Sequence, residues 1–223
     1  MSDIEKKRQA WHEQAQGDNA QKQVARLAEN NIWTLLVENI NLNLELSGDE
    51  TLLDVGCGNA YLLSRLKVTP KNIYGMDFAE NMISEAKKRL PEGTFLQSEA
   101  NEVPFKGPFQ RVLSYSIFHY FPDLEYAKQV LIKLIAITDS KGQILIGDLL
   151  DSRFEEEIKS GSDLTIEASL PVIHRYSQWL FIDISSLKKW LEQQPRVAYV
   201  DVINQPSEFS LSWYRKDLKI TLK

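Results

Sequence analysis

The chain has 223 residues, 43% of them apolar and 26% charged, and a formal net charge of −5 from 26 basic and 31 acidic side chains. That is enough chain to bury a core without covalent staples, and its charge balance argues against a nucleic-acid surface. Its one cysteine, Cys57, excludes an internal disulfide, the start of the chain lacks a signal-peptide core, and no apolar run reaches membrane-span length, so a soluble cytoplasmic protein is expected.

Residues 5–15 favour helix, and Gly17, Asp18 and Asn19 break it. Val24, Leu27, Ala28, Ile32, Leu35, Leu36 and Ile40 then recur at three- and four-residue steps, which predicts an amphipathic helix with Trp33 on its apolar face. Residues 1–46 therefore read as a helical cap. Trp11 stands apart from the stripe. It either fastens the first helix to the body or lies over a small-molecule pocket.

Leu52, Leu53 and Val55 read as a short buried strand, followed by glycines two apart at Gly56 and Gly58. Strand, glycine turn and helix together point free backbone N–H groups at a ligand. From there strands are predicted at 51–55, 72–76, 94–97, 110–115, 143–148, 197–203 and 217–222, and helices at 60–66, 79–90, 123–138 and 185–194. Pro91 closes the second of these helices, and Asp123 suits the cap of the third. Such alternation implies a mostly parallel sheet with helices on both faces. Residues 151–183 break the rhythm with Gly161, Pro171, His174, Tyr176 and Trp179. An insertion after a strand's carboxyl end lies where such sheets bind ligands, so it is the candidate for substrate recognition.

Asp77 ends the second strand, 21 residues after Gly56. An acid there can accept both hydroxyls of a ribose, or cap the next helix. Glu99 and Ala100 follow the third strand, where an acceptor can meet an adenine amino group. A dinucleotide site wants a third glycine at position 61, which is Tyr61. Asp54, two residues before Gly56, suits a cation and repels a phosphate. Adenosine joined to an ammonium or sulfonium fits better than a nicotinamide dinucleotide.

Residues 52–60, Leu-Leu-Asp-Val-Gly-Cys-Gly-Asn-Ala, resemble the first motif of class I S-adenosylmethionine-dependent methyltransferases. The resemblance continues through 74–82, 99–105 and 109–122 and covers residues 35–150, with 185–223 matching by pattern. Ala60 stands where glycine is frequent, and Glu99 where aspartate is commoner. The resemblance implies one α/β domain over 1–223 with a Rossmann-like three-layer architecture. Its sheet would have seven mostly parallel strands, the last antiparallel, and 217–222 suits that last strand as an edge with one wet face. It also implies roles. Asp54 would lie near the methionine ammonium, and the turn of Gly56, Cys57, Gly58 and Ala60 would give backbone room. Asp77 would hold the ribose, with Phe78 or Met82 against the adenine and Glu99 and Ala100 at its edge. Ser114 and Tyr115 would approach the methionine moiety. The cofactor would be S-adenosyl-L-methionine, leaving S-adenosyl-L-homocysteine, and the acceptor a small molecule or glycan.

For a general base His119 is the candidate, because it follows the fourth strand at the carboxyl edge of the sheet; Tyr120 beside it is the second catalytic candidate. Alternatively both pack beneath the site. Trp11, His174 and Tyr176 are candidates for the acceptor side. Cys57 is a small turn residue with no histidine near it in sequence, and no cluster has metal-ligand spacing. A catalytically silent cofactor-binding protein and an NAD-dependent oxidoreductase remain as alternative readings.

Overall fold

A computed structural model describes residues 3–17 and 19–223, with side chains from residue 5 onward. Asp18 of the predicted break lies outside the described residues. The chain runs α1 (Asp3–Gln14), α2 (Ala20–Gln23), α3 (Asn30–Asn43), β1 (Leu52–Val55), β2 (Ile73–Asp77), α4 (Glu80–Arg89), β3 (Thr94–Gln97), β4 (Phe109–Tyr115) and α5 (Leu124–Ile137). It continues through β5 (Thr138–Asp151), α6 (Glu155–Ser160), α7 (Leu164–Ser169), β6 (Phe181–Ile182), α8 (Ile184–Glu192), β7 (Val197–Asn204) and β8 (Arg215–Leu222). The strands form one sheet in the order β3-β2-β1-β4-β5-β8-β7, and the two-residue β6 pairs with the end of β5. Strands β1 to β5 are mutually parallel, and β8 runs antiparallel to both β5 and β7.

The pleat explains the layers. Leu52 and Leu53 point to opposite faces. Leu52 packs with Leu36 of α3 and Ile83 of α4, while Leu53 packs with Leu131 of α5 and Leu187 of α8. Every residue of β1 is buried because helices cover both faces. Leu131 and Leu134 of α5 are fully buried, each contributing about 1.5–3 kcal/mol by leaving water. The carboxylate of Asp123 caps α5 by accepting the Tyr126 N–H at 2.8 Å, as the sequence predicts.

Four elements differ from the sequence reading. The stripe from Val24 to Ile40 is not one helix, because Ala25 sits at φ 51° and α3 begins only at Asn30. Leu27 is 69% exposed, and Val24 instead packs beside the glycine turn. The predicted helix over 60–66 is a turn with a short 3-10 segment at Leu63–Arg65, since Ala60 is left-handed at φ 57°. Strand β8 is not an edge: it lies between β5 and β7, and Arg215 and Asp217 are buried along with Leu218, Ile220 and Leu222. Strand β6 adds an eighth strand that a two-residue signal could not announce.

Strand β5 also carries a bulge. Its register with β8 shifts between Ile146 and Leu149, and Asp148 takes φ 66° there. Gly147 within the bulge supports the ring of Tyr115, since a Cβ at 147 would fall 2.1 Å from that ring. Gly147→Ala should therefore destabilise the fold by about 1–3 kcal/mol through overpacking. Urea denaturation should show a lower midpoint at unchanged slope. An unchanged midpoint would show that the Tyr115 ring yields freely.

Candidate active site

The site begins at the turn after β1. Gly56 has φ 85° and Gly58 φ 52°, both left-handed. A Cβ on Gly56 would fall 2.6 Å from Ile117 Cγ2, and one on Gly58 2.9 Å from Val24 Cγ1. The Gly56 and Cys57 amides both donate to the Met76 carbonyl, at 2.8 and 3.0 Å, which fastens the turn to β2. The Gly58 N–H donates to Asp77 Oδ2 at 3.0 Å, and the Ala79 N–H donates to Asp77 Oδ1 at 2.9 Å. Asp77 thus holds the turn and the mouth of α4 together.

An open cleft of about 1300 Å³, counted out to solvent, lies over this turn. Asp54, Gly56, Cys57, Gly58 and Asp77 line its floor. Phe78, Met82, Glu99 and Ala100 form one wall, and Tyr115 and Tyr120 another, with Trp11 above. The remaining predicted residues lie elsewhere. Ala60 is fully buried beneath the turn, and the Ser114 hydroxyl is spent on the Val55 carbonyl at 3.0 Å, joining β4 to β1. His119 is 2% exposed and outside the cleft lining, packed between the tilted rings of Tyr120 (centroids 4.0 Å) and Trp179 (4.7 Å). The short turn that carries it drives its ring into the layer below. His174 and Tyr176 are also away from the cleft, in the inserted segment; Tyr176 packs on Trp179 with centroids 4.2 Å apart.

Electrostatics divide the lining further. Asp54 is 3% exposed, and its Oδ1 has no hydrogen-bond partner. Burial first, and then the neighbouring Asp77 charge, push its pKa up to about 8. Burial also raises Asp77, to about 6, against the two amides that stabilise its charge. The same burial and the two carboxylates hold the Cys57 thiol protonated. His119 moves the opposite way: burial, then Arg215, lower it to about 3, so the ring stays neutral. Burial also raises the Tyr120 hydroxyl, which keeps its proton.

Several cleft residues carry no signal of their own in the sequence. Helix α1 roofs the cleft: Lys7 Nζ donates to the Tyr120 carbonyl at 3.0 Å, Arg8 pairs with Glu99 at 2.7 Å, and Trp11 meets Tyr120 edge-on with centroids at 5.2 Å. Arg26, from the break after α2, donates to Asp148 Oδ2 at 2.7 Å and Ser116 Oγ at 3.1 Å. Arg215 and the Ser116 hydroxyl also bond that carboxylate oxygen. Burial opposes the Asp148 charge, but the two guanidiniums prevail and hold the group well below the usual carboxylate range. Ser116 and Asp148 are both left-handed, at φ 66°, and face each other across the ends of β4 and β5. A glycine inside a predicted strand, here Gly147, is the one local hint of that bulge.

The geometry has counterparts among known proteins. A family described as a methyltransferase domain matches residues 52–142. An uncharacterized methyltransferase, C70.08c, of Schizosaccharomyces pombe is 23% identical over 180 residues, covering 77% of this chain and 69% of the relative. Chondramide synthase cmdD of Chondromyces crocatus is 27% identical over 130 residues, 55% of this chain, and the match spans only 3% of that much longer protein. In fold, the chain resembles the N-methyltransferase NodS of Bradyrhizobium japonicum WM9, solved with S-adenosyl-L-homocysteine. The TM-score is 0.69 at 12% identity, over 97% of this chain and 98% of that one. The matched span carries the glycine turn, Asp77 and β4, so residues 52–142 are similar to a methyltransferase domain.

Proposed function

We propose that this protein methylates a small-molecule acceptor, with the cleft over the glycine turn holding the methyl donor. The observation that carries the reading is Asp54: a buried carboxylate oxygen without a partner, beside a turn too tight for side chains. A buried acceptor left unpaired costs about 1–3 kcal/mol, and a cationic ligand group removes that cost. The donor set around it fits an adenosyl sulfonium. Asp54 would take the ammonium, and Asp77 the ribose hydroxyls. Phe78, Met82 and Ala100 would cover the adenine, with Glu99 at its edge once Arg8 yields or shares it. Tyr115 would face the sulfur end.

Bound S-adenosylmethionine supplies a methyl group already made electrophilic by its sulfonium. The protein's task is then placement. Holding an acceptor lone pair in line at about 3–3.5 Å can supply roughly 7–11 kcal/mol of the barrier. Trp11 and Tyr120 supply flat apolar walls for a compact acceptor, and the Tyr120 hydroxyl can orient it as a hydrogen-bond donor. Among the described residues no histidine lines the cleft. His119 therefore supports Tyr120 from beneath in this reading, and the acceptor best suited is one with a free lone pair. The negative net charge favours a small acceptor over a nucleic acid.

The function is tested by incubating the protein with S-adenosylmethionine and fractionated small metabolites. Mass spectrometry should find a species that gains one methyl group while S-adenosylhomocysteine accumulates in equal amount. Tight cofactor binding without turnover across all fractions would instead indicate a silent binding protein. Asp77→Ala should weaken S-adenosylhomocysteine binding by about 1–3 kcal/mol in calorimetry, since charge-assisted hydrogen bonds are lost. Equal affinity would remove Asp77 from the site.

The raised pKa of Asp54 sets a pH dependence. In the free protein the group is protonated below about 8, while an ammonium partner favours the ionised form. Binding should therefore release a proton. Affinity should rise with pH between about 6 and 7.5, below the range where the ligand's own ammonium titrates. Calorimetry in buffers of different ionisation enthalpy reads the proton directly. Asp54→Asn should flatten the profile above about 6.5, leaving the Asp77 titration near 6, and a flat profile in the unaltered protein would contradict the assignment.

A further inference from the structure

Tyr115 presents its ring to the cleft from the end of β4. Beneath the ring lies Gly147, whose missing side chain makes a flat floor. A flat floor supports a ring without stopping it from sliding. What stops it is a polar contact at the far end. The Tyr115 hydroxyl accepts a hydrogen bond from Gln205 Nε2 at 3.1 Å.

Gln205 follows β7, on the way to β8, and is 7% exposed. Its Nε2 also donates to Asp217 Oδ1 at 2.8 Å, and Asp148 Oδ1 is a longer third neighbour at 3.3 Å. Two carboxylates on that side require the nitrogen there, which settles the amide's orientation. Asp217 is fully buried in β8, and its Oδ1 also accepts the Asp148 N–H at 2.8 Å. The chain of contacts therefore runs from the β5 bulge through Asp217 and Gln205 to the phenol of Tyr115. Burying an amide and a carboxylate costs free energy unless they are hydrogen-bonded, and here Gln205 bonds both Asp217 and Tyr115. Both residues lie outside the span 52–142 matched by the methyltransferase-domain family.

We propose that Gln205, anchored by Asp217, is a positioning residue that fixes the Tyr115 ring against the sulfur end of the bound methyl donor. The proposal rests on the cleft being the donor site. It predicts that Gln205 acts only through Tyr115. Removing the amide and removing the phenol oxygen should then have one shared effect.

The test is a double-mutant cycle read by calorimetric S-adenosylhomocysteine affinity, with melting temperature as the control for folding. Tyr115→Phe and Gln205→Leu should each weaken binding about 3- to 10-fold, in line with one lost hydrogen bond. The double variant should be no weaker than the worse single within about twofold. Tyr115→Leu, which removes the ring, should weaken binding further. Additive losses, or unaltered affinity in Gln205→Leu beside a weakened Tyr115→Leu, would overturn the positioning role and leave the cleft assignment standing. If Gln205→Leu does not fold, Tyr115→Phe decides alone: affinity equal to the unaltered protein overturns the proposal. Equal affinity in every Tyr115 variant and in Asp77→Ala would instead sink the cleft assignment itself.

Discussion

The hydrogen bond from the Gly58 amide to the Asp77 carboxylate is the constraint on which the rest of the site depends. It joins the ends of two neighbouring parallel strands, β1 and β2, at the point where both stop. Parallel pairing fixes those ends side by side, with Val55 opposite Met76. The left-handed glycines let the chain turn back at once, so its amides reach Met76 and Asp77 rather than solvent. A side chain at Gly56 would meet Ile117, which itself lines the cleft. The absence of a Cβ at these positions lets Ile117 and Val24 pack directly on the turn beside the open space.

That space is charged unevenly. Asp54, Asp77 and Glu99 lie along the floor and one wall, while Lys7, Arg8 and Arg26 reach it from the N-terminal helical segments. Asp54 lies within β1 and Asp77 ends β2, while Glu99 follows β3 by two residues. Burial raises Asp54 and Asp77 because their neighbours do not fully replace water, and that deficit is what a cationic ligand can fill. Asp148 is the contrast. It is as buried as Asp54, yet two arginines satisfy it and its charge is held firmly. One buried carboxylate is thus structural cement between β5, β8 and the N-terminal segment, and the other is left wanting a partner. Their sequence contexts alone do not tell them apart.

What was legible in the sequence was whatever local chemistry dictates. The parallel strands announced themselves as short apolar runs, and the glycine turn and the acid after β2 were visible by spacing. Helix α4 followed from Pro91 and its apolar stripe, and the capped helix α5 from Asp123 and its own stripe. What failed depended on backbone torsion or on distant partners. Ala25 and Ala60 are left-handed without being glycine, so the stripe after Val24 and the helix after the turn were overread. Strand β8 looked like an edge because Lys219 and Thr221 alternate with its apolar residues, whereas β7 covers its free side. His119 was placed at the right strand end but on the wrong face, since a single 3-10 turn decides which ring of Phe118, His119 and Tyr120 meets the cleft. Arg26 and Gln205 belong to segments far from β4 in sequence, 90 residues from Ser116 and from Tyr115 respectively, and no local pattern could have paired them.

In the proposed reading the strand ends form the donor platform, and α1 and the segment around Arg26 form its cover. Specificity for the acceptor would then reside in Trp11, Tyr120 and the elements that hold them, outside the glycine turn. A crystal structure of the protein with S-adenosylhomocysteine tests the central claim most directly. The account predicts both ribose hydroxyls within hydrogen-bond distance of the Asp77 carboxylate and the ammonium beside Asp54. An adenosyl group seated away from the Gly56–Gly58 turn, or a ribose turned away from Asp77, would contradict it.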